Sequence, residues 1–271
     1  MSERPGGVNG IGLDSKPPCA AVSRAMRSLA AVLLAFASAA SAQGLDRDTL
    51  LTDAPAVPAV GTVRVSGAGV ATEKSDSSSS SFTGSIGWTP VANLHADVGA
   101  YFQAGAQGPA ARARYQLLNQ FSHGLDLATG VRFKTVGFHP DQGEVEFLLA
   151  AGRRFGRLEV VLNGVFGVET GGKNGKDLEA KAFAGWRFSD AVRAGIDSRL
   201  QAEVADEEQV TPPPIGQPTV SAGRDYDLTA GPSVAWMVTR TIQVQALVGV
   251  AQPKKTDNTS PIGVVYASID F

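Results

Sequence analysis

From Thr62 to the C-terminus the chain divides into stretches of about ten residues in which every second side chain is apolar and its neighbours are polar, charged or small, the two-residue period of a strand with unlike faces. The middle of the chain shows it plainly. Leu94, Ala96, Val98, Ala100 and Phe102 alternate with His95, Asp97, Gly99, Tyr101 and Gln103; Leu158, Val160, Leu162, Gly164, Phe166 and Val168 alternate with Glu159, Val161, Asn163, Val165, Gly167 and Glu169. The pattern predicts strands near 62–72, 82–90, 94–103, 110–118, 124–135, 143–152, 157–169, 177–188, 192–204, 225–238, 241–251 and 262–271. Twelve such segments is an even number, as a closed antiparallel barrel of one chain requires.

Charge tells the two faces apart. Over these segments the apolar set contains no Asp, Glu, Lys, Arg or His. The other set holds Arg64, Asp97, Arg112, Arg114, Asp126, Arg132, Lys134, Glu144, Glu146, Glu159, Glu179, Lys181, Arg187, Arg193, Asp197, Arg199, Glu203 and Asp270. A cation on the lipid face of a barrel costs roughly 2 to 4 kcal/mol at the bilayer midplane, so the apolar set is expected against hydrocarbon and the charged set inside. Period alone would also describe a soluble sandwich; connections and aromatics separate the two. Short connections at Pro90–Asn93, Asn119–His123, Arg153–Gly156, Ser189–Ala191 and Thr239–Arg240 alternate with mostly longer, more polar ones at Glu73–Ser81, Thr170–Lys176, Ala205–Arg224 and Gln252–Pro261. That alternation suits periplasmic turns opposite extracellular loops, with both termini in the periplasm. Trp88, Trp186 and Trp236, with Phe188 and Phe271, sit on the apolar set near the short turns. Phe82, Phe102, Phe133, Phe166 and Tyr226 sit on the same set, mostly towards the long loops, which predicts two interfacial girdles.

Residues 1–42 read as a cleaved signal peptide. Arg24 and Arg27 form a basic region, Leu29 to Ala37 an apolar core too short to span a membrane, and Ala40-Ser41-Ala42 a small-residue cleavage site; Met26 is a candidate true start. Gln43 to Val60, with Pro55 and Pro58, has neither strand nor helix period and is expected to be a flexible periplasmic lead-in; the barrel is expected over 61–271. The one cysteine, Cys19, falls upstream of the cleavage site, and a formal charge of -2 gives no reason to expect a nucleic-acid partner.

The last strand, Ile262-Gly263-Val264-Val265-Tyr266-Ala267-Ser268-Ile269-Asp270-Phe271, ends on Phe with apolar residues two, four and six positions before it. Here the chain resembles the porin-like outer-membrane β-barrel proteins, although Ile269 stands where an aromatic is common. The resemblance implies a transmembrane barrel embedded in outer-membrane lipid, with Phe271 read by the barrel-assembly machinery.

Candidate chemistry is thin. The histidines are His95 on the inward set, His123 in a short turn and His139 beside Pro140; Gly84-Ser85-Ile86-Gly87 falls one residue short of a nucleophile elbow. No catalytic residue, cofactor or metal site is predicted. The lumen charges say more. Arg112 and Arg114 should neighbour Arg132 and Lys134, with Glu144 and Glu146 following, a basic strip beside an acidic one on the extracellular half of the wall. Glu179, Lys181, Arg187, Arg193, Asp197, Arg199 and Glu203 form a second mixed cluster. These charges either pair across strands to fill a narrow interior or set a transverse field in a water-filled pore for small polar solutes. The readings that follow are a narrow channel, a closed structural or surface-interaction barrel acting through its loops, and a lipid-modifying enzyme using His95. Thr211-Pro212-Pro213-Pro214-Ile215 stiffens the longest loop, and the serines at 77–81 read as a solvated tip. Pro232 should force a bulge or register shift in its strand, because it brings no N–H to the ladder.

Overall fold

The computed structural model describes residues 45–74, 77–103, 106–137, 139–170, 175–205, 226–253 and 259–271. The signal segment with Cys19 and Met26, the 206–224 part of the long loop and the turn at 171–174 lie outside the described residues.

The strands are β1 (Val63–Lys74), β2 (Ser77–Val91), β3 (Leu94–Gln103), β4 (Ala106–Leu118), β5 (Asp126–Val136), β6 (His139–Phe155), β7 (Leu158–Glu169), β8 (Lys176–Arg187), β9 (Val192–Ala205), β10 (Tyr226–Met237), β11 (Ile242–Gln252) and β12 (Ser260–Asp270), with one turn of helix, α1 (Gln120–His123), between β4 and β5. Each strand pairs with its chain neighbour, and β1 pairs with β12, closing a barrel of twelve. At the seam Phe271 donates its N–H to the Val63 carbonyl at 2.8 Å and Val63 donates back to Phe271 at 3.2 Å. Closure leaves no row of unpaired backbone groups, the condition for a sheet surrounded by hydrocarbon.

The faces separate in the sense that charge predicts. Ile196, Val248, Leu162 and Val98 stand out from the wall more than half exposed, whereas Glu159, Asp197, Arg114 and His95 on the opposite alternation are buried. The rim holding the start of β1 and the end of β12, called here the near rim, turns tightly. Asn93, with φ 68°, serves the β2–β3 turn and Gly156, with φ 62°, the β6–β7 turn; both residue types tolerate the left-handed region.

Four differences from the sequence reading have physical causes. The serine run is not a loop tip: Ser77 to Ser81 lie in β2, with Thr72 opposite Ser79 and Lys74 opposite Ser77, because the ladder is a backbone property that small hydroxyl side chains do not obstruct. At the opposite, far rim, strands run on beyond the apolar band in the first half of the barrel, so only the second half keeps long connections there. Strand β6 likewise passes its predicted end and places Arg153 at the near rim, its guanidinium 4.7 Å from the Phe155 ring centroid. Pro232 causes neither bulge nor slip: Ala230 pairs with Val250 and Ser233 with Leu247, so only the pairing at Gly231 and Pro232 is lost on the β11 side while register is kept.

The fourth difference matters most for function. Leu45 to Pro58 is not a lead-in outside the barrel but a hairpin within it. Ala56 donates to the Leu45 carbonyl at 3.1 Å and Thr49 to the Thr52 carbonyl at 2.9 Å, with the two threonine hydroxyls 2.5 Å apart at the tip. Leu45, Arg47, Thr49, Thr52, Asp53 and Ala54 are buried there. The segment shows no strand period because its amides bond to side chains of the wall: Leu50 and Leu51 to Asp197, Asp53 to Asn163, Val57 to Gln116.

Candidate functional site in the barrel lumen

The hairpin meets the wall through stacked charges and two apolar contacts, one at its tip and one at its base, where Leu45 and Ala56 pack on Val161 and Phe183. At the near rim, Arg64 forks onto Asp270 at 2.7 and 3.0 Å, and Arg47 of the hairpin reaches the same carboxylate at 2.6 Å. Deeper in, Arg112 is bracketed by three carboxylates: Asp97 of the wall at 2.9 Å, with Asp48 at 2.9 Å and Asp53 at 2.6 Å from the hairpin. Arg114, almost wholly buried, gives one nitrogen to Asp48 at 2.5 Å and to the Ala54 carbonyl at 3.0 Å. Lys181 takes Asp53 at 3.0 Å and Glu179 at 3.5 Å. Burial alone would raise the two hairpin carboxyls. For Asp48 the guanidiniums of Arg112 and Arg114 outweigh burial and hold it well below the usual carboxylate range; for Asp53 the Lys181 ammonium and Arg112 do the same. At the tip, Leu50 and Leu51 rest on an apolar patch of the inner wall formed by Leu247, Ala251, Ile262 and Val264.

The wall charges expected from sequence all belong to the inward set. Register brings Arg112 opposite Arg132, Arg132 opposite Glu146, and Lys134 opposite Glu144. Arg132 pairs with Glu146, and Lys134 bridges Glu144 at 2.7 Å and Glu146 at 2.9 Å. The strip is less uniform in depth than its sequence suggests. Arg132, Lys134, Glu144 and Glu146 lie in the far half, but Arg112 is at mid-depth and Arg114 lies towards the near rim, since β4 runs from far to near. The second cluster divides as well. Arg199 pairs with Glu179, Asp197 accepts from the hairpin, and Arg187 and Arg193 lie near the near rim with Arg154 around Glu159, at 3.7, 3.3 and 2.8 Å. Arg193 also stacks 5.4 Å from the Phe183 ring, which lies over Gly185 and Gly195: a Cβ on Gly185 would fall 2.3 Å from that ring.

The aromatics expected at the membrane interface are all outward. Trp88, Trp186, Phe188, Trp236 and Phe271 are exposed at the near rim, and Phe82, Phe102, Phe133, Phe166 and Tyr226 are exposed farther along the wall.

A cavity of about 180 Å³ follows β1 to β4, where inward side chains are small: Ser66, Ala68, Ser85 and Ala110 line it, with Tyr101, Tyr266, Arg112 and Arg132 at its edges. His95 is not presented to it. His95 Nδ1 and the Thr89 hydroxyl lie 3.0 Å apart, and both residues are buried at the near rim. His123 is in α1 and His139 opens β6. Among the described residues no group of three or more His, Cys, Asp or Glu side chains is placed to hold a metal ion.

Comparison with solved structures places the fold. The chain is similar to the KdgM porin, with TM-score 0.53 and 12% identity over 77% of this chain and 99% of that one. It is similar to the NanC porin, with TM-score 0.56 and 8% identity over 76% and 100%. It is also similar to an outer-membrane channel from Pseudomonas putida F1, with TM-score 0.54 and 12% identity over 80% and 97%. The fold is thus that of porin-like barrels. No protein-family profile and no curated protein sequence matches the chain.

Sequence reasoning missed Asp46, Arg47, Asp48 and Asp53, which hold the hairpin in the lumen. Two signals were available. The aperiodic stretch concentrates ionisable residues beside Leu45, Leu50 and Leu51, and the inward alternation of β11 and β12 turns from Gln243, Gln245 and Ser268 to Leu247, Val264 and Ile262. An apolar patch inside a polar lumen needs a cover.

Proposed function

We propose that the chain is an outer-membrane channel for small polar solutes, delivered by its signal peptide and barrel-assembly machinery, and narrowed by its own N-terminal hairpin. The observation that carries this reading is the cavity of about 180 Å³ along β1 to β4, lined by Arg112, Arg132, Tyr101 and Tyr266 among others within a closed wall. The paired charges of the far half, Arg132 with Glu146 and Lys134 with Glu144, give that cavity a field across its width that ranks solutes by charge. The exposed tryptophans and phenylalanines at both ends of the outer wall act as interfacial girdles against outer-membrane lipid. Similar barrels support the reading: two are porins, and KdgM has been solved in complex with disordered oligogalacturonate.

Planar-bilayer recording tests it. Small, ion-selective steps are expected from the full chain and larger ones after deletion of residues 45–58; silence from both, with a folded barrel, overturns the channel reading.

The hairpin itself favours a second reading, a closed barrel that works through its loops. Deletion of 210–219 should then abolish binding of a partner while both forms stay silent. A lipid-modifying role has weaker geometry, since Thr89 and His95 are buried away from the outer wall.

A further inference from the structure

The lumen holds a cluster of cationic side chains that hairpin carboxylates neutralise. Arg112 and Lys181 face the hairpin from β4 and β8, and Arg114 stands beside Arg112 on the same inward alternation. Asp48 and Asp53 share the Arg112 guanidinium, one on each terminal nitrogen, and divide Arg114 and Lys181 between them. The wall supplies only part of the balance, through Asp97 for Arg112 and Glu179 for Lys181. Among the described residues Arg114 has no wall carboxylate: its ion pair is with Asp48, and its Nε and Nη2 are buried with no hydrogen-bond partner there. A buried guanidinium with unused donors is a costly arrangement for a purely structural clasp and a serviceable one for a ligand that brings more acceptor oxygens than a single carboxylate.

We propose that Arg112, Arg114 and Lys181 form a binding site for a small solute carrying two acid groups, and that Asp48 and Asp53 of the hairpin occupy it as an internal substitute. A dianionic solute competes with the hairpin, and its binding releases the segment and widens the lumen. The hairpin is built for release. Between an apolar tip on Leu247 and Ile262 and an apolar base where Leu45 and Ala56 pack on Val161 and Phe183, its backbone is held by side chains that water or solute can satisfy instead: Gln116, Asn163, Asp197 and Gln245. A tethered competitor has an effective concentration in the millimolar range or above, so release requires a solute that engages several cations at once; a monoanion shifts little. The proposal rests on the channel reading, because release has a consequence only if the barrel conducts.

The test uses the full chain assembled into vesicles and planar bilayers, with succinate as the two-acid probe and acetate at matched ionic strength as the control. Two readouts are taken: conductance, and thiol labelling of Thr52→Cys in a Cys19→Ser background, Thr52 being buried at the hairpin tip. Succinate, and not acetate, is expected to raise labelling about tenfold or more, since only a ligand with differential affinity shifts the population, and to raise conductance with it. The double variant Asp48→Asn, Asp53→Asn is expected to be labelled and open without succinate and to gain nothing from it. If deletion of 45–58 opens a conductance while succinate and the double variant change neither readout, the proposed site is overturned and the channel stands. If the full chain and the deletion variant are both silent, the channel reading fails, and labelling still decides whether succinate displaces the hairpin.

Discussion

Ile196→Arg is the sharpest probe of the outer wall. Ile196 is 62% exposed and points away from the lumen on β9. Its depth follows from register: Val192, four residues earlier, pairs with Trp236 in the near-rim aromatic row. A strand rising 3.3 Å per residue and tilted about 40° climbs about 2.5 Å per residue along the membrane normal, so Ile196 lies about 10 Å below that row, close to the middle of an apolar band about 25 Å tall. Arginine there is expected to cost about 2 to 4 kcal/mol. Val238 is also exposed, but lies one residue past β10 in the near-rim connection, and Val238→Arg is expected to cost about 0 to 1 kcal/mol. Reversible urea unfolding in phosphatidylcholine vesicles, followed by tryptophan fluorescence and gel mobility, measures both. Equal costs for the two variants, each under about 1 kcal/mol, would refute the claim that this face meets hydrocarbon.

Three further outcomes bear on the interior. A Cβ on Gly152 would fall 2.5 Å from Pro55 and 3.2 Å from Leu45, so Gly152→Leu should unseat the hairpin without touching a charge; labelling of Thr52→Cys should rise while the barrel keeps its folded gel mobility, and an unchanged rate contradicts the hairpin's seat on β6. Because the Asp48 and Asp53 carboxyls are depressed in the folded state, their contribution to docking is complete above the unfolded carboxylate value of about 3.9 and is lost only as pH falls through the depressed values. Thr52→Cys labelling, normalised to free cysteine and measured in an Asp197→Asn background so that the group bonding the Leu50 and Leu51 amides does not titrate, should therefore stay flat from about pH 7 to 4.5, and a marked rise within that span counts against the ion pairs. Gly185→Val would drive its side chain into the Phe183 ring, and overpacking of this kind should lower unfolding stability by about 1 to 3 kcal/mol; a loss near zero would mean the ring is free to move.

The barrel was legible because its two faces carry opposite chemistry. Ile196, Val248 and Leu162 turn outward, while Glu159, Asp197 and Arg114 turn into the lumen, and a strand writes that contrast into alternate positions. Strand ends were less legible. The ladder of β1 with β2 runs through serines that carry no apolar signal, and β6 continues to Phe155 past the last residue of its lipid band.

The hairpin left no periodic trace for a physical reason. A strand repeats its environment every second residue, but Leu45 to Pro58 meets a different partner at each position: Asp270 at Arg47, Arg114 at Asp48, Asp197 at Leu50, Lys181 at Asp53 and Gln116 at Val57. Those partners come from strands spread across the chain and become neighbours only when β1 closes on β12. The sequence alone therefore determined the wall, its closure and which alternate set turns outward, since each depends on local alternation. Only the tertiary structure decided what fills the lumen and which cations Asp48 and Asp53 neutralise, because those contacts exist only after the wall has closed around them.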